Sequence, residues 1–147
     1  MKRIYPPMYF KISLAVTIAA HFLIPVLTII HSPYNYFGIV LIIIGLMLNI
    51  WSDRIFKKEN NPISPDQKPR VLINYGPFKI SRNPMYFGMA LALLGTAVLL
   101  GSAGSSIGLL FFIFWIEKFI IPIEERHLAE VFGNEYIAYK NKVRGWI

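Results

Sequence analysis

Residues 12–52 read ISLAVTIAAHFLIPVLTIIHSPYNYFGIVLIIIGLMLNIWS, and no Asp, Glu, Lys or Arg interrupts them. A helix that crosses a bilayer needs roughly 20 predominantly apolar residues. The stretch holds two such helices with a turn at His31-Ser32-Pro33-Tyr34-Asn35. A second uncharged run, Asn83 to Ile116, holds two shorter ones around Gly101-Ser102-Ala103-Gly104-Ser105-Ser106. The expected fold is therefore all-α: a polytopic integral membrane protein with spans at about 10–30, 36–56, 84–100 and 107–121. Pro25 should kink the first span. Pro84 is a good first helical residue for the third.

Composition agrees. The chain has 147 residues, enough for a single membrane-embedded domain over 1–147. It is 55% hydrophobic and 16% charged, against about 25% charge in soluble domains. It has no cysteine, which excludes disulfides, thiolate nucleophiles and Cys-ligated metals. Lys2 and Arg3 precede an apolar stretch as in a signal peptide, but no small-residue cleavage pattern closes it, so it reads as a retained span.

The net charge of +7 points to cytoplasmic anchoring rather than to nucleic acid. Of 15 Lys and Arg residues, none lies in either proposed outer turn. Lys2, Arg3 and Lys11 precede the first span. Seven lie between Arg54 and Arg82, and Arg126, Lys140, Lys142 and Arg144 lie in the tail. Four spans and the positive-inside rule place both termini and the middle segment in the cytoplasm.

Two cytoplasmic segments remain, 57–83 and 123–147. The first is broken by Pro62, Pro65, Pro69 and Pro77, yet Val71, Leu72, Ile73, Tyr75 and Phe78 give it something to bury. Arg82 stands just before a helix start, where Arg and helix-end N–H groups together can hold a carboxylate. It could equally reach headgroups, with Tyr86 as an interfacial anchor. In the second segment Pro122 should bend the helix, with Glu117, Glu124 and Glu125 around it. The spacing of seven puts Glu117 and Glu124 on one helix face and Lys118 and Glu125 on the next. A Lys118–Glu125 ion pair or a carboxylate site are the two readings. A metal is not expected, since His127 is the one nearby imidazole. An amphipathic helix follows from Ile123 to about Lys142, with Leu128, Val131 and Phe132 on its apolar side, and Gly133 weakens or divides it. His21 and Asn49 read as helix–helix hydrogen-bonding groups, and Gly88, Ala92 and Gly95 as sites of close helix contact or of a flat ligand.

Gly76-Pro77-Phe78, Arg82-Asn83-Pro84-Met85-Tyr86-Phe87-Gly88, then Glu124-Glu125, Leu128, Phe132-Gly133, Tyr136, Tyr139 and Val143-Arg144 follow one another in order. This series resembles the isoprenylcysteine carboxyl methyltransferase family and the wider group of membrane phospholipid methyltransferases. The likeness covers residue 75 to the C-terminus. The isoprenylcysteine branch usually carries His where this chain has Asn83. The resemblance implies a helical membrane enzyme that binds S-adenosylmethionine in a cytoplasm-facing pocket and takes a membrane lipid or lipid-linked acceptor from the bilayer. By that resemblance Asn83, Pro84, Tyr86, Gly88, Glu124 and Glu125 would line the cofactor pocket. Arg82, Arg144 and Glu124 would sit near the reacting groups. Methyl transfer from a sulfonium asks the protein chiefly for orientation and exclusion of water. The alternatives are a reductase-like membrane enzyme using a nicotinamide cofactor and a non-enzymatic membrane scaffold.

Overall fold

The seam between two helices sets the architecture. In the computed structural model, which describes residues 6–24, 27–62 and 67–146, the helices are α1 (Pro6–Leu23), α2 (Phe37–Lys58), α3 (Pro84–Leu100), α4 (Ser106–Trp115), α5 (Ile121–Phe132) and α6 (Asn134–Lys142). The most extensive contact joins α2 to α3, which run antiparallel. Gly38 and Gly45 on α2 meet Gly95 and Gly88 on α3, each pair seven residues apart in its helix. A Cβ on Gly45 would lie 2.5 Å from the Gly88 carbonyl oxygen, and one on Gly88 would lie 2.6 Å from that of Gly45. Small residues let helix backbones touch where lipid offers no hydrophobic drive to association. Asn49 Nδ2 donates to the Met85 carbonyl across the same seam at 3.1 Å.

α1 packs on α4, where Gly108 leaves room for Ser13 and Thr17. The core gathers Tyr9, Tyr86, Ala90, Leu93, Phe112, Ile116 and Ile120. A second cluster of Ile55, Ile73 and Phe78 folds the proline-rich segment back onto the end of α2. Outside these cores the helices expose Ile39, Val40, Ile43, Ile44, Met47 and Ile50 on α2, and Leu110 and Phe114 on α4. An exposed apolar surface of this extent suits lipid rather than water. Two helical stretches, Tyr34–Lys58 and Ser106–Phe132, are long and apolar enough to cross a membrane, and α3 is a shorter apolar helix.

Two expectations need correction. The first helix ends at Leu23 rather than near residue 30. Residues 27–30 are instead drawn into backbone pairing with the 101–103 turn, where Ile29 and Ile30 N–H donate to Gly101 O and Ala103 N–H donates to Leu27 O. Pro25, the expected kink, and Pro65 lie outside the described residues, as do Lys2 and Arg3. The second correction concerns Pro122. The chain takes a π-helical turn at Ile116–Ile120, with Ile121 N–H donating to Ile116 O. The hydrogen-bond register thus widens just before the residue that has no N–H to give. The wide turn inserts one residue, so a spacing of seven no longer keeps one face. Glu117 is exposed while Glu124 turns inward. The tail helix divides at Gly133, at φ 49°, into α5 and α6, the break that the glycine suggested in the sequence.

Replacing Gly45 by Leu should wedge α2 from α3 and destabilise the protein by about 1–3 kcal/mol. Thermal unfolding in detergent should show a lowered midpoint, while Ile43→Leu on the exposed face leaves it unchanged.

Candidate functional site

Ser81, Arg82 and Asn83 lead directly into α3, and the end of the chain docks on them. Ser81 pairs in parallel with Arg144. Arg82 N–H donates to Arg144 O at 2.9 Å. Ser81 Oγ and Asn83 Nδ2 both donate to Gly145 O, at 3.1 and 2.9 Å. These bonds hold Arg82 at the mouth of the helix bundle. Its guanidinium Nη1 lies 2.9 Å from Glu125 Oε1 and 3.4 Å from the Tyr136 hydroxyl. The second Glu125 oxygen accepts from Lys140 Nζ at 2.7 Å. The Arg82 and Glu125 side chains are 14% and 23% exposed, so the pair is largely shielded from water.

Next to this network Tyr86 OH donates to Glu124 Oε1 at 2.5 Å, and Tyr139 OH donates to Phe78 O at 2.6 Å, tying α6 to the Gly76–Lys79 turn. Burial, and then the Glu125 carboxylate, push the Tyr136 phenol up to about 12 against the pull of Arg82. Burial likewise raises Tyr139 to about 12. Tyr75 is raised by its hydrogen bond to Glu59.

Two pockets meet here. The first has about 660 Å³ of open space including its mouth, and runs between residues 61–62 and 67–73 on one side and α5 on the other. Its walls include Val71, Leu72, Ile73, His127 and Leu128. The second, of about 470 Å³, is bounded by Pro6, Pro7, Pro84, Met85, Tyr86 and Met89. Both are lined by Phe56, Phe78, Arg82, Asn83 and Glu124, which form a common wall. Two buried polar atoms on this lining have no partner within the protein, Arg82 Nε and His127 Nδ1. Asn61 fixes the outer wall. Its Oδ1 accepts from Arg70 N–H and Val71 N–H, and its Nδ2 donates to Val71 O at 2.7 Å.

The structure thus gathers Arg82, Asn83 and Glu124 at both pockets and puts Pro84 and Tyr86 at the second. Glu125 lines neither pocket; it pairs with Arg82 and Lys140 rather than with Lys118. Gly88 lines neither, because it is used up in the α2–α3 seam. The Arg144 side chain is exposed, and its contribution is its backbone carbonyl. Sequence reasoning left Tyr136, Tyr139, His127 and Asn61 without a role. The spacing of three between the tyrosines marks one helix face, but nothing local links Asn61 to residues nine and ten positions on.

Residues 34–135 match the family described as phospholipid methyltransferase. The protein-S-isoprenylcysteine O-methyltransferase of Saccharomyces cerevisiae is 40% identical over 80 residues, 52% of this chain and 32% of that protein. A probable protein-S-isoprenylcysteine O-methyltransferase of Oryza sativa subsp. indica is 30% identical over 113 residues, 74% of this chain and 58% of that protein. The chain therefore spans about a third to somewhat over half the length of these relatives.

A tyrosine whose phenol is raised in the folded state stabilises it fully below the ordinary value near 10 and loses that contribution as pH climbs through the raised one. The fold should therefore keep the Tyr136 and Tyr139 contribution up to pH 10 and lose it between about 10 and 12. Ultraviolet titration of tyrosinate should show late-ionising tyrosines, one fewer in Tyr136→Phe.

Proposed function

Because this chain belongs to the phospholipid methyltransferase family, we propose that it transfers a methyl group from S-adenosylmethionine to a lipid-like or isoprenoid acceptor at the cytoplasmic membrane interface. The observation that carries this reading is the common wall of Arg82, Asn83 and Glu124 between two pockets. A polar methyl donor comes from water and a lipid acceptor from the bilayer, so a methyl transferase needs two chambers that meet at one place. The residues present suit the donor. The unpartnered Arg82 Nε can donate to its carboxylate, and the Glu124 carboxylate can receive its ammonium. When bound, S-adenosylmethionine supplies a methyl group already made electrophilic by the sulfonium.

The protein's own part is then binding, orientation and exclusion of water. Arg82 and Asn83 hold the charged end at the common wall. Tyr86 holds Glu124 in place through its hydroxyl. Glu125 acts through Arg82, keeping its guanidinium aimed. Met85, Tyr86 and Met89 receive the acceptor near its head, because each CH₂ left in an apolar setting contributes about 0.8 kcal/mol that water would forfeit. A carboxylate acceptor needs no general base at neutral pH, whereas an amine or hydroxyl does, and Glu124 is then the group at the right wall.

Calorimetry of the detergent-purified protein should detect S-adenosylmethionine and S-adenosylhomocysteine but not NADPH. Glu124→Gln should weaken donor binding roughly tenfold or more, since a hydrogen bond to a charged group contributes about 1.5–3 kcal/mol. Met89→Trp should slow methylation of a long-chain acceptor more than that of a short soluble analogue, with donor affinity intact. Binding of NADPH in place of the sulfonium compound would instead support the reductase reading.

The four-crossing arrangement with both termini cytoplasmic belongs to the same proposal. It is supported by the basic residues clustered in the middle segment and tail and by the uncharged turns. Cysteines at Tyr34, 77% exposed, and at the half-exposed Ala103 should react with an impermeant thiol reagent from outside. One at Lys68 should not. Ser105 is fully buried and unsuited to labelling. Reaction at position 68 alone would reverse the orientation.

A further inference from the structure

His127 enters the sequence reading only as a possible metal ligand, yet its Nδ1 is buried and unpartnered on the first pocket, away from the common wall. The polar groups that line this pocket away from the common wall, among the described residues, are Asn61, Gln67, His127 and Tyr139. The Asn61 amide is spent on Arg70 and Val71. The Tyr139 hydroxyl is spent on Phe78 O. Gln67 is exposed. His127 Nδ1 is buried and has no partner. Buried polar atoms are almost always paired, so an orphan on a pocket wall marks a place where a ligand completes the bond.

Position decides which part of the ligand that is. Methyl transfer to an acceptor in the second pocket requires the sulfonium at the common wall. The amino-acid end is held there by charge. The remaining part of the donor, its base, must then extend into the region lined by His127 and absent from the second pocket. That region is apolar, with Val71, Leu72 and Ile73 opposite Leu128, and apolar walls suit the faces of a purine ring. The six-amino group of adenine is a donor on that edge, and Nδ1 in the tautomer that leaves it unprotonated can accept from it. His127 lies three residues after Glu124 on α5, so one helix face presents both groups to one pocket.

We infer that His127 is the base-reading residue of the donor site, recognising the edge of the adenine through Nδ1. This rests on the methyl-transfer reading above. It adds a specificity role that the shared wall does not supply. Because a site built to hydrogen-bond one group discriminates against an analogue lacking it, the binding should sense the six-position of the purine.

The test compares S-adenosylhomocysteine with its purine-riboside analogue, in which a hydrogen replaces the six-amino group, by calorimetry on the full chain in detergent. The wild-type protein should prefer the adenosyl compound by roughly tenfold. His127→Ala should lose that preference and bind the adenosyl compound roughly tenfold more weakly. His127→Asn should restore both, because a carboxamide carries its polar atoms on Cγ where the imidazole carries Nδ1. His127→Gln should not. If His127→Ala fails to fold, the contrast between the Asn and Gln variants decides. Unchanged preference in folded His127→Ala, or no preference in the wild type, overturns the role of His127 and leaves the methyltransferase reading standing. Binding of neither compound by the wild type overturns both.

Discussion

Arg82 donates through its guanidinium to Glu125 on α5 and through its backbone N–H to the Arg144 carbonyl at the end of the chain. One residue thereby joins the start of α3, the helix after the π-turn and the last segment. Charge-assisted bonds of this kind are the stronger ones. Their partial burial makes them consequential in a second way, since removing one partner strands the other where water reaches it poorly. Lys140 neutralises the second Glu125 oxygen, and Tyr136 faces Arg82, so the guanidinium is held from more than one side.

The wall would not exist without two features far from it in sequence. The glycine pairs of α2 and α3 bring those helices to backbone contact, which sets where Phe56 at the end of α2 stands relative to Asn83 at the start of α3. The π-turn at Ile116–Ile120 rotates everything after it. Without the extra residue, Glu124 would follow Glu117 onto the exposed face. A lost hydrogen bond at Pro122 and a carboxylate turned into a pocket are thus one event seen from two ends.

The middle segment carries four prolines, and its described residues line the first pocket without helix or strand on either side of Asn61 and Val71. They are held by burial of Ile73 and Phe78 against Ile55 and by Asn61, whose side chain takes the place of a missing strand partner for Arg70 and Val71. Secondary structure is not needed where one amide can satisfy the backbone groups that face inward.

The sequence by itself determined the helical class, because charge-free runs of this length have few other outcomes, and it determined α3 to the residue, because Pro84 and Gly101 are local signals at its two ends. It also marked Arg82, Asn83 and Glu124, since these lie in a motif whose order and spacing survive in one dimension. The tertiary structure alone decided the rest. That α1 stops at Leu23 depends on the distant 101–103 turn claiming residues 27–30. That Gly88 serves the helix seam depends on Gly45 lying opposite. Arg144 offers a carbonyl where its guanidinium was expected, because parallel pairing with Ser81 fixes its backbone and leaves its side chain outside. Glu125 serves Arg82 and not Lys118 because a helix face is counted at 3.6 residues per turn only while the helix stays α. Periodicity carries local geometry, and it fails wherever a turn widens or a partner lies tens of residues away.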